Sequence, residues 1–131
     1  SIISGGCHIE GTVENSILSP FVRVEKGAVV RDSVLWDSVL VKEHARLDKA
    51  ICDKRCVIGK KAHVGHGKED VPNSELPASL SCGASVLGMN VTVPEGTMIG
   101  RNCIIYPEAG EKEFASGKIP SGGTVTFPGE G

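Results

Sequence analysis

Three histidines and two closely spaced cysteines are the residues of this chain whose types could do chemistry. His44, His63 and His66 carry imidazoles able to act as general bases near neutral pH, and the last two stand beside a stretch rich in proline and polar residues. Cys52 and Cys56 are spaced C-x3-C with His63 close by, so a zinc site has to be weighed. Zinc needs four ligands converging on one point, whereas neighbouring positions along a strand and around a corner are expected to diverge. The cysteines Cys7, Cys52, Cys56, Cys82 and Cys103 are odd in number. They read as free thiols of a reducing compartment, with Cys7 and Cys52 as small apolar residues facing a core. Lysines and arginines on an outer face are the type needed to hold a phosphorylated ligand. None of these residues is assigned a catalytic, cofactor-binding or metal-ligating role.

What would position them is a repeat. Asn15 to Arg31, Asp32 to Asp48 and Lys49 to Gly65 are one seventeen-residue unit written three times, and internal periodicity outranks other sequence signals. Ile17, Val34 and Ile51 share one aliphatic column, and Leu18, Leu35 and Cys52 the next. Further columns hold Val24, Val41 and Ile58, then Ala28, Ala45 and Ala62, then Val30, Leu47 and Val64. The strongest apolar positions fall six, six and five apart, which predicts three short strands per unit joined by tight corners. Stacked about 4.8 Å apart, such triangular units form an all-β solenoid, a single-stranded parallel β-helix of about five coils.

Composition agrees. The chain has 131 residues, and one Trp, one Tyr and three Phe suit a narrow interior filled by β-branched side chains, while its 17 glycines suit corners that need positive φ. A net charge of -2 with mixed signs gives no case for a nucleic acid or an anionic membrane as partner. No segment approaches a membrane span, and no charged leader with a long apolar core opens the chain. A cytoplasmic protein is expected.

In chain order, residues 1–65 are expected to hold coils, with Ser1 to Glu14 as the tail of a preceding coil and Cys7 in the Val24 column. Outward positions such as Arg23, Lys42 and Lys60 read as solvated faces, and Trp36 as a partly exposed corner residue. At His66 the register stops, so 66–83 reads as a loop thrown out from a corner, removable at little cost to the fold. The period returns over 84–109, with Leu87, Val93, Ile99 and Ile105 spaced six apart as hexapeptide repeats. Residues 110–131 read as a tail capping the open end, with an irregular turn around Phe114 and one short strand carrying Val125 and Phe127.

The hexapeptides resemble those of the left-handed parallel β-helix proteins, and the left-handedness rests on that resemblance alone. Ser4 to Gly11 (S-G-G-x-x-I-x-G), Asn15 to Val24 (N-S-x-L-S-x-x-V-R-V), Asp32 to Leu35 (D-S-V-L) and Ala45 to Lys54 (A-R-L-x-x-A-I-x-D-K) resemble the C-terminal domain of the glucose-1-phosphate adenylyltransferases, or ADP-glucose pyrophosphorylases. The resemblance implies an assembly and regulatory domain of an enzyme that makes ADP-glucose from ATP and glucose 1-phosphate for glycogen or starch synthesis. It implies a homo-oligomer joined through the β-helix, contact with the protein's own N-terminal catalytic domain, and a phosphorylated allosteric effector. Magnesium and ATP belong to that catalytic domain, whose G-G-x-G-T-R-L phosphate loop this sequence lacks, so this chain alone is expected to be inactive. Two alternatives stand beside it: a hexapeptide acyltransferase using coenzyme A with His44, His63 or His66 as base, and a pyrophosphorylase for another nucleotide sugar.

Overall fold

The computed structural model describes residues 1–67, 71–75 and 82–126. Their strands are all parallel and fall into three sheets. Sheet A has seven strands: Ile2–Ile3, Ile17–Leu18, Val34–Leu35, Ala50–Cys52, Ser85–Leu87, Ile104–Ile105 and Thr124–Val125. Sheet B has five, His8–Ile9, Arg23–Val24, Leu40–Val41, Val57–Ile58 and Thr92–Val93. Sheet C has six, Thr12–Glu14, Val29–Arg31, Arg46–Asp48, His63–Val64, Met98–Ile99 and Lys118–Ile119. The chain visits A, B and C in turn, so each strand pairs with its copy one coil on: a parallel β-helix. Among the described residues no helix is long and apolar enough to cross a membrane.

The interior is columnar. Leu18, Leu35, Cys52, Leu87 and Ile105 stack under sheet A, Val24, Val41, Ile58 and Val93 under B, and Val30, Leu47, Val64 and Ile99 under C, all fully or almost fully buried. The corners are filled by smaller side chains, Val22, Val39, Cys56 and Val91 between A and B, and Ala28, Ala45, Ala62 and Thr97 between B and C. Burying a Val, Leu or Ile is worth about 1.5–3 kcal/mol, so the repeated columns carry the fold.

The five-residue step from sheet C back to A is mended by side chains. The N–H of Ser33 donates to Ser16 Oγ at 3.0 Å and that of Ala50 to Ser33 Oγ at 3.1 Å, while the two hydroxyls donate to the carbonyls of Glu14 and Arg31. Each serine thus supplies a rung where the backbone ladder is interrupted.

Three expectations are corrected. The winding is longer than five coils: six coils are followed by the first strand of a seventh. Ser1 to Glu14 forms a coil with a strand in every sheet, and Ile9, not Cys7, pairs with Val24, while Cys7 falls one corner earlier, in line with Val22. The cause is Gly11, which lies so close to the carbonyls of Ala28 and Glu25 that no Cβ could be placed there. Its corner cuts inside that of the next coil and is two residues shorter. Third, the tail does not end in a single strand: Lys118–Ile119 joins sheet C and Thr124–Val125 joins sheet A, continuing the winding. Phe114 is buried at 2 % and fills the core of the sixth coil, where the described residues have no sheet B strand. Phe127 lies outside the described residues.

Candidate assembly and ligand surfaces

Paired strands place their outward residues in columns too, and on sheet C that column is Arg46, His63, Met98 and Lys118. His63 and His66 meet edge to face with ring centroids 5.4 Å apart. Burial, together with the positive charge of Arg46 and the nearby His66, lowers the pKa of His63, so the imidazole is neutral at pH 7. Arg101 binds Asp48 Oδ2 through Nη2 at 3.1 Å and donates from Nε to the carbonyl of Gly67 at 2.8 Å. Beside them is a cleft of about 220 Å³ lined by His66, Gly67, Gly100, Lys118, Pro120 and Ser121. Lys118 is the one lysine or arginine in its lining. His44 is not part of this group: it lies at the corner between B and C, its ring against Gly27.

Cys52 and Cys56 do meet, across the inside of the corner between A and B. The Cys56 thiol, hydrogen bonded with Cys52, has its pKa lowered, whereas the same hydrogen bond and complete burial push Cys52 well up. Cys56 Sγ also donates to the carbonyl of Gly88 at 3.0 Å. Among the described residues no three His, Cys, Asp or Glu side chains gather as a metal cluster. The convergence of the two thiols differs from the divergence expected of neighbouring positions: both are inward residues, and the inside of a corner brings their side chains together.

The segment after His66 is held down where the described part of it can be followed. Asn73 is fully buried, and its Nδ2 donates to the carbonyls of Asn102 and Gly123 at 3.0 and 3.2 Å. Asn102 in turn donates from Nδ2 to the carbonyl of Val71 and accepts the N–H of Gly83 on Oδ1. Gly122 has the carbonyl of Pro72 2.5 Å from where a Cβ would sit, so the strap lies directly on the backbone of the corner. Residues 71–75 therefore form a clasp over the corner between C and A, not a loop thrown out from it.

Sheet A differs from both other faces. Its outward column is Ile2, Ile17, Val34, Ile51, Val86 and Ile104, with Ile2, Ile17 and Ile51 exposed at 65, 45 and 38 %. Trp36, 46 % exposed, stands in the adjoining outward column. The expectation of charged, mixed outward faces holds for Arg23, Lys42 and Lys60 but not here. The signal was present in the sequence: adjacent aliphatic columns such as Ile17 and Leu18 cannot both face inward on a strand, because successive side chains point to opposite sides.

The family model for the GlmU-like, C-terminal hexapeptide matches residues 1–76. The chain belongs to that family. This hexapeptide domain is also similar to curated glucose-1-phosphate adenylyltransferases. It is 36 % identical to that of Acetivibrio thermocellus over 99 % of the chain and 30 % of the relative. With that of Thermomicrobium roseum it shares 44 % identity over 72 % of the chain and 22 % of the relative. The hexapeptide domain thus spans less than a third of the length of these relatives. Among solved structures it resembles the acetyltransferase domain of PglB from Neisseria gonorrhoeae, with a TM-score of 0.62 and 19 % identity over 92 % of this chain and 49 % of that one. That likeness shows the fold alone.

Proposed function

We propose that this chain is the assembly and regulatory domain of a cytoplasmic ADP-glucose pyrophosphorylase, in which ATP and glucose 1-phosphate give ADP-glucose and pyrophosphate. The observation that carries the reading is the match to glucose-1-phosphate adenylyltransferases along 99 % of the chain but only 30 % of the relative. A short part of a larger enzyme whose outward residues are partly aliphatic is suited to joining polypeptides. The rest of such an enzyme would hold the ATP, the magnesium and the reacting groups. The cleft bordered by His66 and Lys118 offers one lysine of the type that holds a phosphorylated effector, at the boundary with that catalytic part. The acyltransferase alternative is weaker, because its support is a fold shared at 19 % identity.

The test is a chimera of the Acetivibrio thermocellus relative in which this chain replaces the matching segment. ADP-glucose formation from ATP and glucose 1-phosphate is expected, with none from the isolated 131 residues. A folded chimera of parental size without activity overturns the reading, as does saturable binding of acetyl coenzyme A by the isolated chain.

A further inference from the structure

Cys52 and Cys56 stand in two interior columns that are otherwise aliphatic around them. One runs Leu18, Leu35, Cys52 and Leu87 under sheet A, and the other Val22, Val39, Cys56 and Val91 inside the corner between A and B. Among the described residues only the fourth coil carries sulfur at both places, and there the two thiols meet with neither one exposed. Apolar packing does not ask for this, since a leucine and a valine fill the same two places in the coils on either side. We propose that this pair is an oxidation site, at which a hydroperoxide converts the two thiols into an intramolecular disulfide inside the folded coil. The proposal goes beyond the function proposed above and is independent of nucleotide, sugar and effector.

The first coil supplies the comparison. Cys7 occupies the corner place that Cys56 takes in the fourth, and both donate to a carbonyl of the following coil, Cys7 Sγ to Ser19 at 3.2 Å and Cys56 Sγ to Gly88 at 3.0 Å. Beside Cys7 the residue in register with Leu18 is Ile3, so an oxidised Cys7 has no thiol to resolve it. The contact with Gly88 sets the Cys56 sulfur against the backbone of the next corner, where no side chain covers the wall, so a small peroxide has less to cross there than at Cys52. The hydrogen bond with Cys52 lowers the pKa of Cys56 and makes its sulfur the nucleophile. With hydrogen peroxide, the Cys56 thiolate attacks one oxygen, the O–O bond breaks, and a sulfenic acid forms as water leaves. The Cys52 sulfur then attacks that of Cys56, the S–O bond breaks, and the departing hydroxyl takes the Cys52 proton as a second water while the S–S bond closes. Two thiols thus give up two electrons and two protons to one hydrogen peroxide, which becomes two waters.

Hydrogen peroxide added to the folded chain in a Cys82→Ser background, which removes the exposed thiol, tests this. After quenching, unfolding and alkylation, mass mapping should show Cys52 and Cys56 joined, a loss of both labels that a dithiol reductant reverses, with Cys7 and Cys103 outside the bond. In Cys52→Leu, which restores the usual residue of its column, the Cys56 sulfenic acid has no resolving thiol and should be trapped by dimedone at more than about tenfold the parent level. In Cys56→Val no bond should form and Cys52 should keep its label. Thermal melts followed by circular dichroism check that both variants stay folded. The proposal is overturned if Cys52 and Cys56 still take the label after exposure to peroxide, if they join only once urea has unfolded the chain, or if either is found bonded to Cys7 or Cys103.

Discussion

On sheet A the outward residue of six successive strands is Ile or Val, while on sheet C the same position holds Thr12, Val29, Arg46, His63, Met98 and Lys118. Inward, the two sheets are alike, with Leu18, Leu35 and Leu87 under one and Val30, Leu47 and Ile99 under the other. Folding therefore dictates the inward columns of both, since a coil cannot bury its own apolar side alone. It leaves the outward columns free, so their difference is set by something other than the packing of the coils.

The likeness of the inward columns is the easiest to break. Leu35→Asp under sheet A and Leu47→Asp under sheet C should each cost about 3 kcal/mol or more, because each leaves a charge unpaired in the core. Both variants should lose the folded circular dichroism signal, and a melt within a few degrees of the parent in either would mean that the register is misplaced. Next in size is the clasp. Asn73→Ala removes two hydrogen bonds to the carbonyls of Asn102 and Gly123 and should cost about 1–3 kcal/mol. That is a fall of several degrees in Tm, checked by calorimetry. A deletion spanning 71–75 should do the same.

The outward columns should respond weakly and unequally. Ile51→Thr on sheet A and Met98→Thr on sheet C should each leave the stability of the monomeric unit within about 0.5 kcal/mol, as measured by urea titration. Only Ile51→Thr should alter concentration dependence. The smallest effect is that of pH. His63 has a folded pKa below that of the unfolded chain, so as pH falls below the unfolded value the unfolded state takes up the proton first. Its contribution is intact above that value, declines as pH falls toward the folded pKa, and is level below it. His63→Gln should flatten this part of the stability profile, and an unchanged slope would remove His63 as its source.

Much of this was legible in the residues. The seventeen-residue period located Leu18, Val24 and Val30 and their copies, because only inward side chains are forced to repeat. The register failed in the first coil, where Gly11 cuts a corner and period alone cannot see a two-residue shortening. The clasp was not legible, since Asn73 belongs to no repeat and its partners Asn102 and Gly123 are far from it along the chain. The tail was misjudged because Phe114, in an irregular turn, takes the interior place that a regular strand residue fills elsewhere.

Elsewhere a strand finds its partner 15 to 20 residues away, but across the segment held by Asn73 the separation grows to about twice that, as in the bond from Arg55 to Asn90, 35 positions apart. A solenoid grows by adding one coil to the last, and each addition first closes a loop. Doubling that loop adds only about 0.6 kcal/mol at equilibrium, yet the joint between Ile58 and Val93 closes the longest loop of the stack and is expected to form last. The coils before it can then form while those after it wait, so the protein is expected to refold in two phases, the later one reporting on Leu87 to Val125.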